Sequence, residues 1–417
     1  MSLVKRILKS YHVRKSILIL TSRDLDISSG AAYRTIYIAK YLSKFFKIFI
    51  IDARRNTYII SKNGFIARIN IRKSFISILL SLIPSLLNNI LMILFRFPKE
   101  EAGRIANIFN FGIFYDALRI SSKIKPFIII IEEYYSLYMI ASLLRNIFNI
   151  KHLVLDLHNI DTLRLSRYPH INKLFIKLIY LLEKRAVNNV DLSVVVSHKD
   201  LYFSKKLFNV ENVIVIPNFV SYEEIVSLAR SVSEKSIGDG YIIYHGDFRY
   251  YPNREALYLL MRYIMPKIWK DHPNIKLIVA GPGLPQIIKE KVRFLGYVSR
   301  ETLYKLICNA CCAIVPLLRG GGTRIKILEY LACGIPVIST KIGAEGLEVE
   351  NFKHLITVDQ IEDIPQVFEL IVRDDSLREK IKSNAIILIK EKYDINIVME
   401  KFLNIIEEWI KINQIAG

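Results

Sequence analysis

Cysteine is scarce in this chain of 417 residues, which has only four. A closed zinc site needs four ligands in spaced pairs, and no histidine cluster accompanies these cysteines, so we interpret them as small core residues. Their scarcity also favours a reducing, cytosolic compartment over a disulfide-stapled fold. The four positions are Cys308, Cys311, Cys312 and Cys333.

Acidic residues are outnumbered by basic ones, 39 against 59, which gives a formal net charge of +20 and a pI near 9.6. Such an excess indicates an anionic partner: nucleotide phosphates, a lipid phosphate, an acidic membrane surface or nucleic acid. The sequence has no arginine-rich tail, recognition-helix pattern or RNP-type aromatic strand. We therefore predict that nucleic acid is not a partner.

A signal peptide is not predicted, because the apolar run 17–20 after the basic start is too short. This run is interpreted as the first strand of an α/β domain, followed by a helix over 31–44 and a strand over 48–52. The loop between the first strand and this helix carries Ser29, Gly30 and Ala31 at its turn. The loop is one glycine short of the dinucleotide fingerprint, which excludes that motif.

Residues 74–95 form an uncharged, strongly apolar segment that contains Pro84 and the pair Asn88 and Asn89. The segment is about long enough to span a bilayer. Three interpretations stay open: a helix on the membrane surface, a core helix and a true span. Basic residues on both sides favour the first, so an anionic membrane surface is a predicted partner and the protein is expected to be peripheral on the inner face of the cell membrane.

Two further strands are predicted at 127–131 and 153–157, and His158 directly follows the second. In open α/β sheets ligands bind outside the carboxyl ends of strands, so His158 is a candidate site residue. The alternative is a histidine that is hydrogen-bonded for structural reasons alone. A basic helix is expected over 171–188, with Glu183, Lys184 and Arg185 at its exposed end.

The second half repeats the βαβ rhythm after residues 221–239, which are polar and irregular and mark the domain boundary. Strands are predicted at 241–244, 276–280, 292–295, 312–317 and 335–339, with helices at 253–270 and 300–309 and more helices over 363–410. Four of these strands run into glycine loops, and all four loops would face one crevice. The glycines are Gly246, Gly281, Gly296 and Gly320.

The stretch from Leu318 to Pro336 joins a glycine run to a short amphipathic helix and an apolar strand. Glycines let backbone N–H groups approach an anion at a helix start, and two cations in the first turn suit a diphosphate. We expect Thr323 to cap the helix, Arg324 and Lys326 to bind the anion and Glu329 to meet sugar hydroxyls. The alternative is an ordinary loop with a solvated basic turn.

Together, segments 244–253, 296–298, 316–337 and 343–346 resemble glycosyltransferase family 4. The likeness is strong over 241–347 and weaker but collinear over 16–218. It implies an α/β protein of the GT-B class, with two Rossmann-like doubly wound domains facing a central cleft. By this likeness 1–220 is the acceptor-binding domain, 221–395 binds the nucleotide sugar, and 396–417 is a helix that crosses back to the first domain.

The resemblance also implies roles for single residues. His158 matches the histidine that contacts the donor sugar, Glu329 matches the second glutamate of a Glu-x7-Glu motif that binds the ribose, and 296–298 resembles the base-binding loop. The predicted catalytic residues are His158, Arg324 and Lys326. The predicted donor-binding residues are Gly246, Arg249, Tyr297, Val298, Gly320, Gly321, Gly322, Thr323 and Glu329, and the acceptor-side loop is Ser29, Gly30 and Ala31.

Two departures from the family pattern matter. The first glutamate of the motif would fall at Gly321, and the family's arginine and lysine after the Gly246 turn are not clearly present. A branch of the family shares the form Gly-Gly-Gly-Thr-Arg-x-Lys. We therefore expect Arg324 and Lys326, with the glycine amides, to carry the diphosphate that the missing pair carries elsewhere.

The predicted function is transfer of a sugar from a nucleoside diphosphate sugar to a hydroxyl of a lipid-linked or other glycan acceptor. Retention of configuration, and the absence of any metal or cofactor, are implied by the resemblance alone. The alternatives are an inverting transferase, a nucleotide-sugar epimerase, a non-catalytic partner that kept the fold, and a basic nucleic-acid module.

Overall fold

The computed structural model describes residues 15–22, 24–25, 30–69, 86–87, 89, 111–132, 135–168, 171–229 and 240–415. The chain divides into two compact units, Met1–Val215 and Ile216–Gly417, which we call unit 1 and unit 2. Nearly all of the predicted membrane-surface segment 74–95 lies outside the described residues, as does Ser29.

Unit 1 is built on one eight-stranded sheet. Its strands are β1 (Ser16–Thr21), β2 (Lys47–Ile51), β3 (Thr57–Ile60), β4 (Ile66–Ile69), β5 (Ile128–Glu132), β6 (His152–Leu157), β7 (Leu192–Val195) and β8 (Val213–Val215). Their order across the sheet is β4-β3-β2-β1-β5-β6-β7-β8, and β3 alone runs antiparallel to its neighbours, β2 and β4. β1, β5 and β6 are buried along their whole length, as expected for parallel strands covered on both faces.

The helices of unit 1 cover this sheet. They are α1 (Gly30–Leu42), α2 (Phe111–Ile124), α3 (Tyr135–Phe148), α4 (Asp161–Ser166), α5 (Lys173–Asn189) and α6 (His198–Phe208). α2, α3, α5 and α6 each add buried apolar residues to one core with β1, β5 and β6. The expected exposure of Glu183 is wrong: its side chain is buried, and its carboxylate accepts hydrogen bonds from the N–H groups of Asp161 (2.6 Å) and Thr162 (2.9 Å) at the start of α4.

Unit 2 is built on a seven-stranded sheet. Its strands are β9 (Tyr241–His245), β10 (Lys276–Ala280), β11 (Ile287–Ile288), β12 (Val292–Phe294), β13 (Cys312–Val315), β14 (Val337–Thr340) and β15 (Ile356–Val358). The order is β11-β12-β10-β9-β13-β14-β15, with only β11 antiparallel. Counted along the chain, the six parallel strands follow the Rossmann order 3-2-1-4-5-6.

The α-helices of unit 2 are α7 (Tyr222–Ala229), α8 (Tyr251–Leu259), α9 (Met265–Asp271), α10 (Arg300–Cys308), α11 (Ile325–Ala332), α12 (Ile364–Arg373), α13 (Asp375–Leu388) and α14 (Ile395–Ile415). π-Helical turns at Leu260–Ile264 and Ile389–Tyr393 join α8 to α9 and α13 to α14. α7 corrects the expectation of irregular structure over 221–239. Its buried Ile225 and Ala229 anchor a short amphipathic helix that polar residues around it obscured.

The division between the units falls at Val215, five residues before the predicted boundary at 220. The crossing of the last helix onto the first domain stays a prediction. Strands β3, β4, β11 and β15 were not predicted, because strands of two to four residues leave too little periodicity to recognise.

Within the described ranges, the helices are all too short or too polar to cross a lipid bilayer. This finding leaves the interpretation of segment 74–95 as it stood.

Gly281 shows how tightly the loops of unit 2 approach each other. Its φ is +142°, and a Cβ built there would overlap the carbonyl oxygen of Gly246. Gly296 also has a positive φ, +64°, but a Cβ there would meet Gln286 Cγ at 3.4 Å, an ordinary contact. The two glycines therefore separate backbone strain from steric overlap.

We expect Gly281→Ala to lower the free energy of unfolding of unit 2 by about 3 kcal/mol, because strain and overlap add. Gly296→Ala should cost only the strain, about 1 kcal/mol. Both tryptophans, Trp269 and Trp409, belong to unit 2, so urea unfolding followed by tryptophan fluorescence reports on this unit. Equal losses for the two variants would contradict the close approach of the loops.

Candidate functional site

The candidate phosphate site lies in unit 2, at the carboxyl ends of its central strands. β9 ends at His245, ahead of Gly246, and β13 ends at Val315, ahead of the glycine loop. The strand order reverses between β9 and β13, which makes this point the topological switch point of the sheet. Ligands of open α/β sheets bind at such points.

Backbone hydrogen bonds join the loops that follow β9, β10 and β12. Gly246 N–H donates to Ala280 O (3.1 Å), and Gly281 N–H donates to Gly296 O (2.7 Å). Phe248 N–H donates to Pro282 O (2.8 Å). The prediction that the loops at Gly246, Gly281 and Gly296 share one edge of the sheet is therefore confirmed.

Lys326 reaches this edge from the first turn of α11, as predicted. Its Nζ donates to Asn253 Oδ1 (2.9 Å) and lies 4.3 Å from the centre of the Tyr244 ring. Burial of the ammonium group and the positive charge of Arg324 lower its pKa to about 7. A bound anion would favour the charged form of Lys326, because these two contacts offer it no negative charge.

Asn253 holds the lysine in place. Its Nδ2 donates to Asp247 O (2.8 Å), and its Oδ1 accepts from Tyr244 OH (3.1 Å) as well as from Lys326. A Cβ at Gly246 would lie 2.7 Å from Lys326 Nζ and 2.9 Å from Asn253 Nδ2. The absence of a Cβ at Gly246 therefore leaves room for the Asn253 amide and the Lys326 ammonium group beside its backbone.

Arg324 lies against the glycine loop. Its Nη1 donates to the carbonyl oxygens of Gly321 and, at 3.1 Å, of Gly322. A Cβ at Gly320 would lie 2.5 Å from Nη2, so the glycine allows this return of the side chain. Gly320 and Gly322 have φ values of +128° and +62°, which glycine adopts without strain.

The prediction that Thr323 caps α11 is wrong. Arg324 is the residue before the helix, and no side chain caps it. Thr323 is buried, and its hydroxyl oxygen accepts from Asn218 Nδ2 (2.7 Å). The hydroxyl group therefore anchors the loop to residues that follow β8, which local sequence could not indicate.

Glu329 faces the end of β9. Its Oε2 lies 2.9 Å from His245 Nε2, and its Oε1 accepts from Tyr304 OH (3.3 Å). Burial opposes ionisation of Glu329, but the hydrogen bond and charge of His245 outweigh it and hold the pKa below its ordinary value. Glu329 is therefore a positioned carboxylate, as its predicted contact with a sugar hydroxyl requires.

The remaining predicted donor-binding residues lie at the surface. Arg249 is exposed and pairs with Asp247, with Nε 2.8 Å from Oδ1. Tyr297 is 62% exposed and Val298 is partly exposed, both in the loop after β12. Tyr297 has the exposed aromatic face that could stack on a base, while Arg249 is already engaged.

In unit 1, His158 closes a buried polar cluster at the ends of β5 and β6. His158 Nε2 lies 3.6 Å from Glu132 Oε2 and 3.7 Å from Asp156 Oδ2. Arg34, fully buried on α1, donates to both carboxylate oxygens of Asp156 (2.9 and 3.0 Å), and Thr35 OH donates to Glu132. The predicted position of His158 beyond a strand end is confirmed.

The pKa values of the two carboxyl groups in this cluster are shifted in opposite directions. Burial raises the pKa of Glu132. Burial also opposes ionisation of Asp156, but the Arg34 guanidinium outweighs it and lowers that pKa to about 2. His158 thus lies beside one carboxyl group whose ionisation burial disfavours and one that Arg34 keeps ionised.

Glu132, Asp156 and His158 are the one group of three acidic or histidine side chains in the described ranges whose ligand atoms all lie within 4.8 Å of one another. This set does not fit a divalent cation, because a guanidinium group already occupies both oxygens of Asp156.

The predicted acceptor-side loop is described only in part. Gly30 and Ala31 are the first two residues of α1, the helix that carries Arg34 and Thr35 into the His158 cluster. Their role towards an acceptor stays a prediction.

Sequence reasoning missed the residues that position the predicted ones. His245 and Asn253 lie in the conspicuous segment 244–253, yet neither is adjacent in sequence to its partner, Glu329 or Lys326. Arg34 is likewise 122 residues from its partner Asp156, and Thr35 is 97 residues from its partner Glu132. The cysteines are free thiols, with Cys311 and Cys312 buried as expected of core residues.

Comparisons with known proteins relate parts of this chain to glycosyltransferases. Residues 239–373 match the family described as Glycosyl transferases group 1. An uncharacterised glycosyltransferase of Methanocaldococcus jannaschii is 29% identical over 201 residues, which cover 45% of this chain and 49% of that protein. Chitobiosyldiphosphodolichol beta-mannosyltransferase of Candida albicans is 24% identical over 284 residues, which cover 61% of this chain and 62% of that protein.

The chain thus spans between about half and three fifths of the length of these two relatives. The Anabaena protein HepE, solved in complex with UDP-glucose, has a TM-score of 0.62 at 12% identity and covers 94% of this chain and 99% of its own. At this identity the likeness shows the fold, and the predicted fold class, a GT-B protein of two Rossmann-like domains, is confirmed.

The lowered pKa of Lys326 makes stability depend on pH in a defined direction. The unfolded chain keeps this proton up to pH 10.5, whereas the folded protein loses it near 7, so the wild type gains stability as pH rises between these values. We expect the wild type to gain, relative to Lys326→Met, up to about 1 kcal/mol per pH unit from pH 7 to 9. Urea unfolding at pH 7, 8 and 9 measures the difference, and a constant gap would contradict the burial of the ammonium group.

Proposed function

We propose that the protein is a glycosyltransferase of the hexosyltransferase type, which moves a sugar from a nucleoside diphosphate sugar to an acceptor hydroxyl. One observation carries this proposal: at the switch point of unit 2, Lys326 lies beside Gly246 and Arg324 lies against the glycine loop, within the residues that match Glycosyl transferases group 1. The complex of HepE with UDP-glucose supports the same class of donor.

The donor proposal rests on the chemistry of this loop. A diphosphate needs several N–H donors and compensating positive charge, and glycine N–H groups at a helix start supply the first. Lys326 and Arg324 supply the second, from the first turn of α11 and from the residue before it. Glu329, held by His245 and Tyr304, is the proposed acceptor of ribose hydroxyl hydrogen bonds.

Transfer breaks the bond between the anomeric carbon and the diphosphate oxygen, so negative charge develops on the departing diphosphate. Lys326, Arg324 and the glycine amides would stabilise that charge more strongly than the charge of the bound donor. We propose that these cations of the protein make a metal ion unnecessary. We further propose that configuration is retained, which analysis of the product anomer would test.

The acceptor is proposed to be a lipid-linked or other glycan, with the protein peripheral on the inner face of the cell membrane. The Candida relative supports a lipid-linked acceptor through its name, which specifies chitobiosyl diphosphodolichol. The net charge of +20 suits an acceptor that stays at an anionic surface.

His158 is the proposed contact to the donor sugar. Its Nε2 lies 3.6 Å from Glu132 Oε2 and 3.7 Å from Asp156 Oδ2, and Asp156 is fixed by Arg34. These contacts and the burial of the ring restrict the orientation of the imidazole, as a residue that orients a reacting sugar requires.

We expect nucleoside diphosphates and their sugars, screened in EDTA, to raise the melting temperature of unit 2, since ligands of the native state stabilise it. Lys326→Met and Arg324→Met should each weaken donor binding by about tenfold to a hundredfold, the typical effect of a lost charge-assisted hydrogen bond. Lys305→Met is the matched control, because Lys305 pairs with Glu301 on the exposed side of α10. Unchanged dissociation constants in calorimetry for both site variants would refute the proposed diphosphate contacts.

We expect His158→Gln to lower turnover on the order of 10²-fold, with little change in donor dissociation constant. His198→Gln is the control, because His198 is an exposed histidine at the start of α6. Release of nucleoside diphosphate, with dissociation constants measured separately, distinguishes the two effects. Wild-type turnover in the His158 variant would remove it from the mechanism, and no release by any form of the protein would favour a non-catalytic partner.

A further inference from the structure

The outer face of α3 carries large apolar side chains that the described part of the protein leaves exposed. Met139, Leu143 and Ile147 are 43%, 50% and 54% exposed. They follow each other at intervals of four residues, so they form one stripe along the helix. The opposite side of α3, with Leu137, is buried in the core of unit 1.

The neighbouring helix α5 has a stripe of the same kind. Leu174, Leu178 and Leu181 are 76%, 43% and 52% exposed, at intervals of four and three residues. α5 packs against α3, and its Phe175 and Ile179 enter the same core. We call these six exposed residues of the two helices the α3/α5 face.

The α3/α5 face is not explained by the stability of unit 1. Single exposed apolar residues are normal, but six large ones on two helices that pack against each other indicate an interaction surface. Each helix already buries its inner side on the sheet. The exposed apolar side chains of the α3/α5 face must therefore have a use other than packing within unit 1.

The exposed charges on α3 and α5 themselves have one sign. Lys173, Lys177, Lys184 and Arg185 are exposed on α5 beside the leucines. Glu183 is the single acidic residue in the sequences of α3 and α5, and it is buried beneath α4. The next helix, α6, adds exposed Lys199 and Lys206.

We propose that the α3/α5 face docks on an anionic lipid bilayer. Apolar side chains flanked by lysines on a surface helix bury about 5–10 Å into the boundary between headgroups and acyl chains, while the ammonium groups remain among lipid phosphates. This surface is distinct from segment 74–95, and it stands on observations that do not depend on the proposed transferase activity.

A second copy of the chain fits this face less well. A twofold dimer would bring the face against itself, so the lysines and Arg185 of each copy would meet those of the other with no exposed carboxylate on these helices to pair with. An anionic membrane offers apolar chains and negative charge together. Charge complementarity therefore favours lipid over a second copy.

The test is co-sedimentation of the full-length protein with vesicles, without donor. We expect binding to vesicles of phosphatidylcholine containing a third of phosphatidylglycerol, weak binding to phosphatidylcholine alone, and loss of affinity as salt increases. The combined variant Leu174→Ser, Leu178→Ser and Leu181→Ser should bind the anionic vesicles at least tenfold more weakly. Ile387→Ser with Ile397→Ser is the matched control, because both isoleucines are exposed in unit 2, at 50% and 45%.

A second variant, Lys173→Gln with Lys177→Gln, removes charge from exposed positions without touching the core. We expect it to fold with unchanged melting temperature and to bind anionic vesicles at least tenfold more weakly, with donor turnover in solution unchanged. Wild-type vesicle binding by both α5 variants would overturn the proposal and assign any membrane contact elsewhere. Absence of binding by the wild type, or a dimer in sedimentation velocity that the leucine variant dissociates without lipid, would overturn it too.

Discussion

The proposed donor site depends on one lysine, Lys326, whose ammonium group is removed from water at the end of β9. Lys326 extends from α11 to the end of β9, where its ammonium group contacts an asparagine oxygen and an aromatic ring. Burial there disfavours the charged form and lowers its pKa to about 7. Ionisable groups with strongly shifted pKa values cluster at functional sites, where a ligand of opposite charge can stabilise the charged form. The strand order places Lys326 where ligands of α/β sheets bind.

The two units place different chemistry at the carboxyl ends of their parallel strands. In unit 2 the strand ends meet glycine loops and cations, which suit an anion. In unit 1 they meet two buried carboxyl groups beside a histidine: burial raises the pKa of Glu132, and Asp156 is paired with Arg34. We propose that the first arrangement binds an anion and that the second positions the His158 ring. This contrast is why we assign the diphosphate to unit 2 and the proposed sugar contact to His158.

Much of the fold could be predicted because its signals are local. Apolar runs such as 128–132 and glycines at strand ends identify parallel strands and their loops from neighbouring residues alone. The site was predicted less completely. Lys326 and Glu329 were found from the glycine run, but Asn253, His245 and Arg34 act across 73 to 122 residues, a separation that sequence spacing does not reveal. Thr323 was misassigned as a cap because its partner, Asn218, is similarly distant.

We propose that the glycine loop and Lys326 hold the diphosphate of an activated sugar. A crystal structure of the protein with a bound nucleoside diphosphate sugar tests this most directly. The account predicts phosphate oxygens within hydrogen-bonding distance of Lys326 Nζ and of N–H groups of Gly320–Gly322. A diphosphate bound elsewhere, with Lys326 still on Asn253 and Tyr244, would contradict it.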